Sequence, residues 1–229
     1  MLEIKIQGIP ITVEKKKIKN LYLKVVPPDG KVVISAPKRM SQKVIEDFAA
    51  SKINWIQEKR KKYEKQPQET QLQYISGENI YLWGRSYPLE LRYSNVCNKV
   101  MLFEERIVIQ VPMDSTSEQR ERCLNEWYRI QLKERIPLLI AKWENMIGVQ
   151  VQDWGVKNMK TRWGTCNTSA KRIWLNLQLA KKKPECLEYV VVHEMTHLLE
   201  RNHNQRFYGF MDKFLPEWRS IKDELNSVL

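Results

Sequence analysis

The sequence predicts an α+β protein: a β-rich N-terminal part with one helix, then a second part with a small sheet and an HExxH helix. Three observations predict it. Short alternating apolar segments, punctuated by Gly and Pro, fill most of residues 3–36 and 74–111. Helical spacing dominates 117–147 and 184–227. All three histidines fall in one window, His193-Glu194-Met195-Thr196-His197-Leu198-Leu199-Glu200-Arg201-Asn202-His203. The β region ends at Pro112-Met113-Asp114-Ser115, which sets expected domains of 1–112 and 113–229.

Taken in order, Ile4 and Ile6, then Ile9, Ile11 and Val13 beyond Gly8, alternate as strand residues do. Leu21–Val26 and Lys31–Ala36 flank Pro27-Pro28-Asp29-Gly30, the signal of a hairpin turn. Ser41 is the expected cap of a helix running to about residue 65, and Gln66–Gln73 is a polar linker. Tyr87–Tyr93 and Arg106–Val111 alternate again, with turns at Gly77 and Gly84. A long helix is expected from Ser117 to Ile147, with an apolar stripe through Cys123, Trp127, Ile130, Leu138, Leu139 and Trp143. Pro137 should kink or divide it, and Gly148 should stop it. Val149–Trp154, Asn158–Arg162 and Ile173–Leu177 are expected strands, with a turn at Trp163-Gly164-Thr165. Pro184-Glu185 opens the helix that carries the histidines, since Pro suits its first position and an acid its first turn. A last helix spans about 204–227, interrupted near Pro216. No internal repeat stands out.

Composition narrows the class. A hydrophobic content of 42% over 229 residues fits a soluble globular chain with ample core. No stretch approaches the roughly 20 apolar residues of a membrane span, and Met1–Gly8 lacks the apolar run of a signal peptide. No membrane partner is expected. Cys97, Cys123, Cys166 and Cys186 are scattered without a CxxC pair, so free thiols in a cytoplasm are expected. The net charge is +12, much of it in Lys15-Lys16-Lys17, Lys59-Arg60-Lys61-Lys62 and Lys181-Lys182-Lys183. Each run alone reads as solvated surface; together they leave a polyanion partner or an anionic substrate open.

The histidine window carries chemistry. Residues four apart share a helical face, so His193 and His197 can present nitrogens to one ion. Zinc in a catalytic site takes three protein ligands and keeps a fourth position for water. His203 is the natural third ligand, with Glu217 the alternative; Asp212 and Glu217 otherwise read as outer partners or surface. For His203 to turn back, the helix must end first, and Arg201-Asn202 is the expected stop. Glu194, beside the first ligand, can reach the activated water as general base without joining the metal. Arg162, Trp163 and Asn176 are candidate substrate contacts. Trp163 reads more readily as a core residue that anchors the turn, and Arg162 as the partner of a substrate oxyanion, of Glu185 or of Glu188.

Longer segments carry a resemblance. Met159–Cys166, Trp174-Leu175-Asn176, Tyr189–His197 and Asn202-His203-Asn204 resemble the YgjP-like metallopeptidase family, related to the SprT and WLM proteases. Weaker matches run through 21–37, Gly77–Leu91 and Glu126-Trp127-Tyr128. Thr165 stands where the family usually has Ser, and Tyr208 where Trp is expected. The resemblance implies a minimal zincin-like catalytic domain, one zinc ion on His193, His197 and His203, Glu194 as catalytic acid/base, and a protein or peptide substrate. It also implies that the strand near Ile173–Leu177 rims the cleft, where it is expected to pair with an extended peptide. Two other functions compete: a metal-dependent pyrophosphatase acting on UTP, and a nucleic-acid-associated SprT-like protease. Neither a phosphate-binding glycine loop nor a nucleic-acid recognition motif supports them.

Overall fold

A computed structural model describes residues 2–26, 30–64, 72–94 and 99–227. The expected turn at Pro27-Pro28-Asp29, most of the polar linker, Cys97 and the side chain of Lys62 lie outside the described residues. The chain forms two compact units, Met1–Gln71 and Leu72–Leu229.

The first unit is a four-stranded sheet with two helices. Strands β1 (Leu2–Ile6), β2 (Ile9–Lys16), β3 (Tyr22–Val26) and β4 (Lys31–Pro37) lie in the order β1-β2-β4-β3. β2 and β4 run parallel and the other pairs antiparallel. Gln7 and Gly8 take left-handed φ values of 46° and 82°, which makes the two-residue hairpin turn that a right-handed sheet twist favours. Alternation then puts Ile9, Ile11, Val13, Val32, Ile34 and Ala36 into one core with Ile45, Ala49, Ile53 and Ile56 of the helices. The single helix expected over 41–65 is two, α1 (Gln42–Ser51) and α2 (Ile53–Glu64), broken at Lys52. Ser41 stands at the cap position, but its side chain makes no capping bond.

The second unit begins with the same topology. Strands β5 (Asn79–Leu82), β6 (Arg85–Tyr93), β7 (Lys99–Phe103) and β8 (Arg106–Val111) follow the order β5-β6-β8-β7, again with the second and fourth strands parallel. Trp83-Gly84 repeats the Gln7-Gly8 turn, with φ values of 49° and 79°. A topological repeat is therefore present although the sequence shows no evident one, because hydrogen-bond order and turn geometry tolerate almost complete exchange of side chains. The expected boundary after residue 112 is also corrected. The core of β5–β8 is continuous with that of the helices that follow, so the division falls at residue 71.

Helix α3 (Ser117–Ile147) ties this unit together. Thr116 and Gln119 form a reciprocal capping box, and Gly148 at φ 77° ends the helix. Pro137 does not divide it. Pro137 and Lys133, whose carbonyl loses its partner, are both exposed, so water can satisfy the freed group. The apolar stripe is Leu124, Trp127, Tyr128, Leu132, Ile136, Ile140, Trp143 and Ile147. Ile130 and Leu138, expected in it, are 53% and 72% exposed. The Tyr128 hydroxyl donates to the Tyr81 carbonyl of β5, Arg129 to the Val156 carbonyl, and Lys142 and Trp143 to Glu188.

A three-stranded sheet follows, β9 (Asp153–Lys157), β10 (Gly164–Asn167) and β11 (Arg172–Asn176), in the order β10-β11-β9. Residues 158–162, an expected strand, form an irregular loop, and the turn lies at 168–171 rather than 163–165. A 3-10 turn over Leu177–Lys181 leads into α4 (Pro184–Thr196), and α5 (Gln205–Phe214) and α6 (Trp218–Leu225) close the unit on either side of Pro216. No helix among the described residues is long and apolar enough to cross a membrane. Replacing Leu132 by Ala removes a fully buried side chain and should cost about 2–5 kcal/mol, whereas Leu138→Ala should change stability by less than about 0.5 kcal/mol. Urea denaturation of the two variants reads the difference, and equal costs would contradict this assignment of the buried face.

Candidate metal centre

α4 is buried nearly all round, from Leu187 through Tyr189–Val192 to Met195 and Thr196. Its last turn presents His193 and, at the cap position, His197. The helix ends at Thr196, five residues before the expected stop at Arg201. There the backbone tightens, Leu198 N–H donating to the Met195 carbonyl and Leu199 N–H to that of Thr196. The Glu200 carboxylate accepts from Asn202 N–H and shapes the return loop. Asn204 then caps α5 by accepting from Phe207 N–H at 3.0 Å. This turn brings His203 back over α4.

The three imidazoles converge. One ring nitrogen from each of His193, His197 and His203 lies within 4.8 Å of the others. Nε2 of His193 and Nε2 of His203 are 3.0 Å apart, near the roughly 3.3 Å edge of a tetrahedron of zinc–nitrogen bonds. Nδ1 of His197 lies 3.1 Å from the Glu200 carbonyl, which fixes that nitrogen as the donor and turns Nε2 toward the other rings. Beneath them sits Phe207, fully buried, with its ring centroid 5.0, 4.7 and 4.8 Å from those of His193, His197 and His203. Behind His203, Trp218 stacks between Tyr208 and Tyr189 at 5.6 and 6.4 Å. Burial, helped by the other two rings, pushes the His193 pKa down to about 3, and burial lowers that of His197. Both are therefore neutral, the form a metal takes. The donor set, its spacing and its dry floor fit a single divalent ion of the zinc type.

Glu194 is 5% exposed, and burial pushes its carboxyl pKa up to about 8, against the opposing pull of the Arg162 guanidinium. A group so poised can accept and return a proton near neutral pH. Its position depends on Gly164, which sequence reasoning read as part of a turn. A Cβ on Gly164 would stand 2.5 Å from Glu194 Oε1. β10 therefore passes directly over the carboxylate.

The cleft between them has a volume of about 840 Å³. β10 and the residues before it form one wall, α4 the floor, and Arg201, His203 and Lys222 the far side. Arg162 lines it, and Glu188, one of its expected partners, is held by α3 instead. Trp163 lines it too, donating from Nε1 to Asn226 Oδ1 at 3.3 Å. Asn176 does not line it, which corrects its reading as a substrate contact. Its carboxamide is 4% exposed and fully engaged: Oδ1 accepts from Met159 N–H and Gln178 N–H, and Nδ2 donates to the carbonyls of Met159 and Arg162. Asn176 is a brace that holds the loop carrying Arg162 and Trp163. Asp212 is engaged by Trp218 and Arg219 rather than by a histidine, and Glu217 stands at the start of α6, outside the histidine cluster. Cys166 faces the cleft with its thiol pushed up to about 11 by burial and by Glu194, so it stays protonated.

β11, expected to pair with a peptide, is the central strand of its sheet and has both edges occupied. The edge strands are β10 and β9, and of the two β10 lines the cleft. Asn176 N–H donates to the Trp163 carbonyl, so Thr165 and Asn167 face β11 and the backbone groups of Gly164 and Cys166 face outward.

A family profile described as "YgjP-like, metallopeptidase domain" matches residues 19–228. Among solved structures, the metallopeptidase zymogen of Pyrococcus abyssi abylysin is similar at 20% identity, over 38% of this chain and 89% of that one, with a TM-score of 0.36. The metallopeptidase zymogen of Methanocaldococcus jannaschii jannalysin is similar at 19% identity, over 39% and 92%, also with a TM-score of 0.36. No curated protein matches the chain.

Two substitutions test the geometry. Gly164→Ala should displace Glu194 and lower hydrolysis about 10²-fold, with metal content by elemental analysis unchanged. Phe207→Ala should loosen the rings and weaken metal affinity about 10–100-fold, read by chelator competition; unchanged affinity would remove Phe207 from the account.

Proposed function

The chain belongs to the YgjP-like metallopeptidase family, and from that membership we propose that it is a zinc peptidase cleaving peptide bonds within proteins or peptides. Metal-dependent peptide hydrolysis follows from the family. The assignment of the ion to zinc, of its ligands to His193, His197 and His203, and of the base to Glu194 is our own. The convergence of three imidazoles beside a buried carboxyl is the observation that carries it.

When bound, zinc supplies a Lewis acid that polarises a carbonyl and lowers the pKa of water toward 7. Glu194 accepts a proton from the attacking water and returns it to the leaving nitrogen. Its pKa of about 8 keeps both transfers close to balance near neutral pH. Arg162 is our candidate for steadying the substrate oxygen on which negative charge develops. The substrate backbone pairs with the outward N–H and C=O groups of Gly164 and Cys166, which supports an extended peptide as ligand. The free thiols of Cys123, Cys166 and Cys186 support a cytoplasmic location.

A second reading, hydrolysis of a nucleotide such as UTP, draws on Arg162, Arg201 and Lys222. All three line the cleft, and none forms an ion pair among the described residues. Turnover of a quenched peptide pool and of UTP by the zinc-loaded protein separates the two. Glu194→Gln should lower peptide cleavage about 10²–10⁴-fold with metal retained. Cys166→Pro should remove one outward donor, spare the β10–β11 ladder, and lower peptide kcat/KM about tenfold. UTP hydrolysis without peptide cleavage would overturn the peptidase reading.

A further inference from the structure

The chain's positive charge is unevenly divided. Sixteen of the 39 Lys and Arg residues but only eight of the 27 Asp and Glu fall within residues 1–71, so that stretch carries +8 of the net +12. Topology concentrates part of it further. β4 lies between β2 and β3, so the connection over residues 17–21 must pass across the C-terminal end of β4. β2 and β4 are parallel and end together, with Lys16 opposite Pro37. Lys15, Lys16, Lys17 and Lys19 from one side, and Lys38 and Arg39 from the other, therefore meet at a single end of the sheet. Lys15 Nζ donates to the Met40 carbonyl at 2.7 Å and pins the two segments together. Lys16 is paired with Glu14. Lys17, Lys19, Lys38 and Arg39 are exposed, and none forms an ion pair or side-chain hydrogen bond among the described residues.

The fold does not require these cations. In the second sheet, which has the same topology, the ladder of β6 and β8 ends with Tyr93 opposite Val111, and Ser94 N–H donates to the Val111 carbonyl. There β6 and the residue after it end in Tyr93-Ser94 and β8 is followed by Pro112-Met113-Asp114, with no Lys or Arg among them, whereas β2 ends in Lys15-Lys16 and β4 is followed by Lys38-Arg39. One scaffold carries a cluster of like charges at this end and the other does not. Holding unpaired cations close together costs electrostatic free energy, which a polyanion would offset.

We propose that this end of the N-terminal sheet binds single-stranded nucleic acid through its phosphodiester backbone. Tyr22 decides between polyanions. It opens β3 opposite Ser35, on the open sheet face beside the cluster, and is 52% exposed. Within residues 15–22 and 35–40 it is the exposed large hydrophobic residue. A lipid surface would be held by aliphatic or Trp side chains projecting among the lysines. A phenol ring beside cations instead provides a stacking platform for a base. The inference stands apart from the peptidase reading, since it uses none of the cleft residues.

Fluorescence anisotropy of the full-length protein with a labelled single strand of about 20 nucleotides tests it. Four phosphate contacts predict a slope of log K against log salt near −3. The variant carrying Lys17→Ala, Lys19→Ala, Lys38→Ala and Arg39→Ala should bind at least about tenfold more weakly, with a flatter slope. A control with the same loss of charge, Lys52→Ala, Lys59→Ala, Lys61→Ala and Lys133→Ala, should stay within about threefold of wild type. Lys38→Glu alone should weaken binding measurably, which keeps the test valid if the fourfold variant misfolds. Tyr22→Ala should weaken single-strand binding and leave binding of the matching duplex unchanged. Equal losses in the two fourfold variants, no binding by the wild type, or binding of phosphatidylserine vesicles in place of the oligonucleotide would each overturn the proposal.

Discussion

The arrangement of the second unit depends on where α4 stops. Two histidines one turn apart can share a metal with a third ligand only if that ligand arrives from outside the helix. The helix ends at Thr196, the chain turns within a few residues, and Asn204 starts α5 in a new direction. Glu200 contributes twice to that turn, its carboxylate to Asn202 N–H and its carbonyl to the ring of His197. The same turn sets Phe207 beneath all three rings. The convergence of the three rings, their orientation and the apolar floor thus follow from one helix terminus.

The second constraint acts from above. β10 can cross Glu194 only because Gly164 has no side chain. The loop before β10 is held by the four hydrogen bonds of Asn176, so Arg162 and Trp163 reach the cleft on a rigid support. Burial under this strand raises the Glu194 pKa, and the same burial keeps Cys166 a thiol. Enclosing one carboxyl thereby gives the site a group suited to moving a proton and leaves no competing nucleophile beside it.

What the sequence made legible was local. The spacing of His193, Glu194, His197 and His203 lies within eleven residues and reports one helical face and one return loop. The ends of α3 were likewise readable, because Thr116, Gln119 and Gly148 act on their own backbone. What stayed hidden was long-range. Nothing near Gly164 indicates that Glu194 lies against it, and nothing near Phe207 indicates three rings above it. Asn176 looked like a substrate contact because a polar residue beside a motif looks the same whether it faces a cleft or a loop. The strand order β10-β11-β9 puts β11 in the middle and leaves β10 as the edge strand at the cleft, and no periodicity within a strand reveals which neighbours it has. The repeated four-stranded topology escaped for the same reason: it is conserved in pairing and turns, while its side chains diverge to the point that one copy is strongly basic.

Three imidazoles acting on one ion are the claim on which the site rests, and X-ray absorption at the zinc edge of the metal-loaded protein addresses it most directly. The account predicts about four nitrogen or oxygen neighbours at about 2.0–2.1 Å, with outer-shell scattering from three imidazoles that falls to two in His203→Ala. A sulfur neighbour at about 2.3 Å, or imidazole scattering unchanged by that substitution, would contradict it.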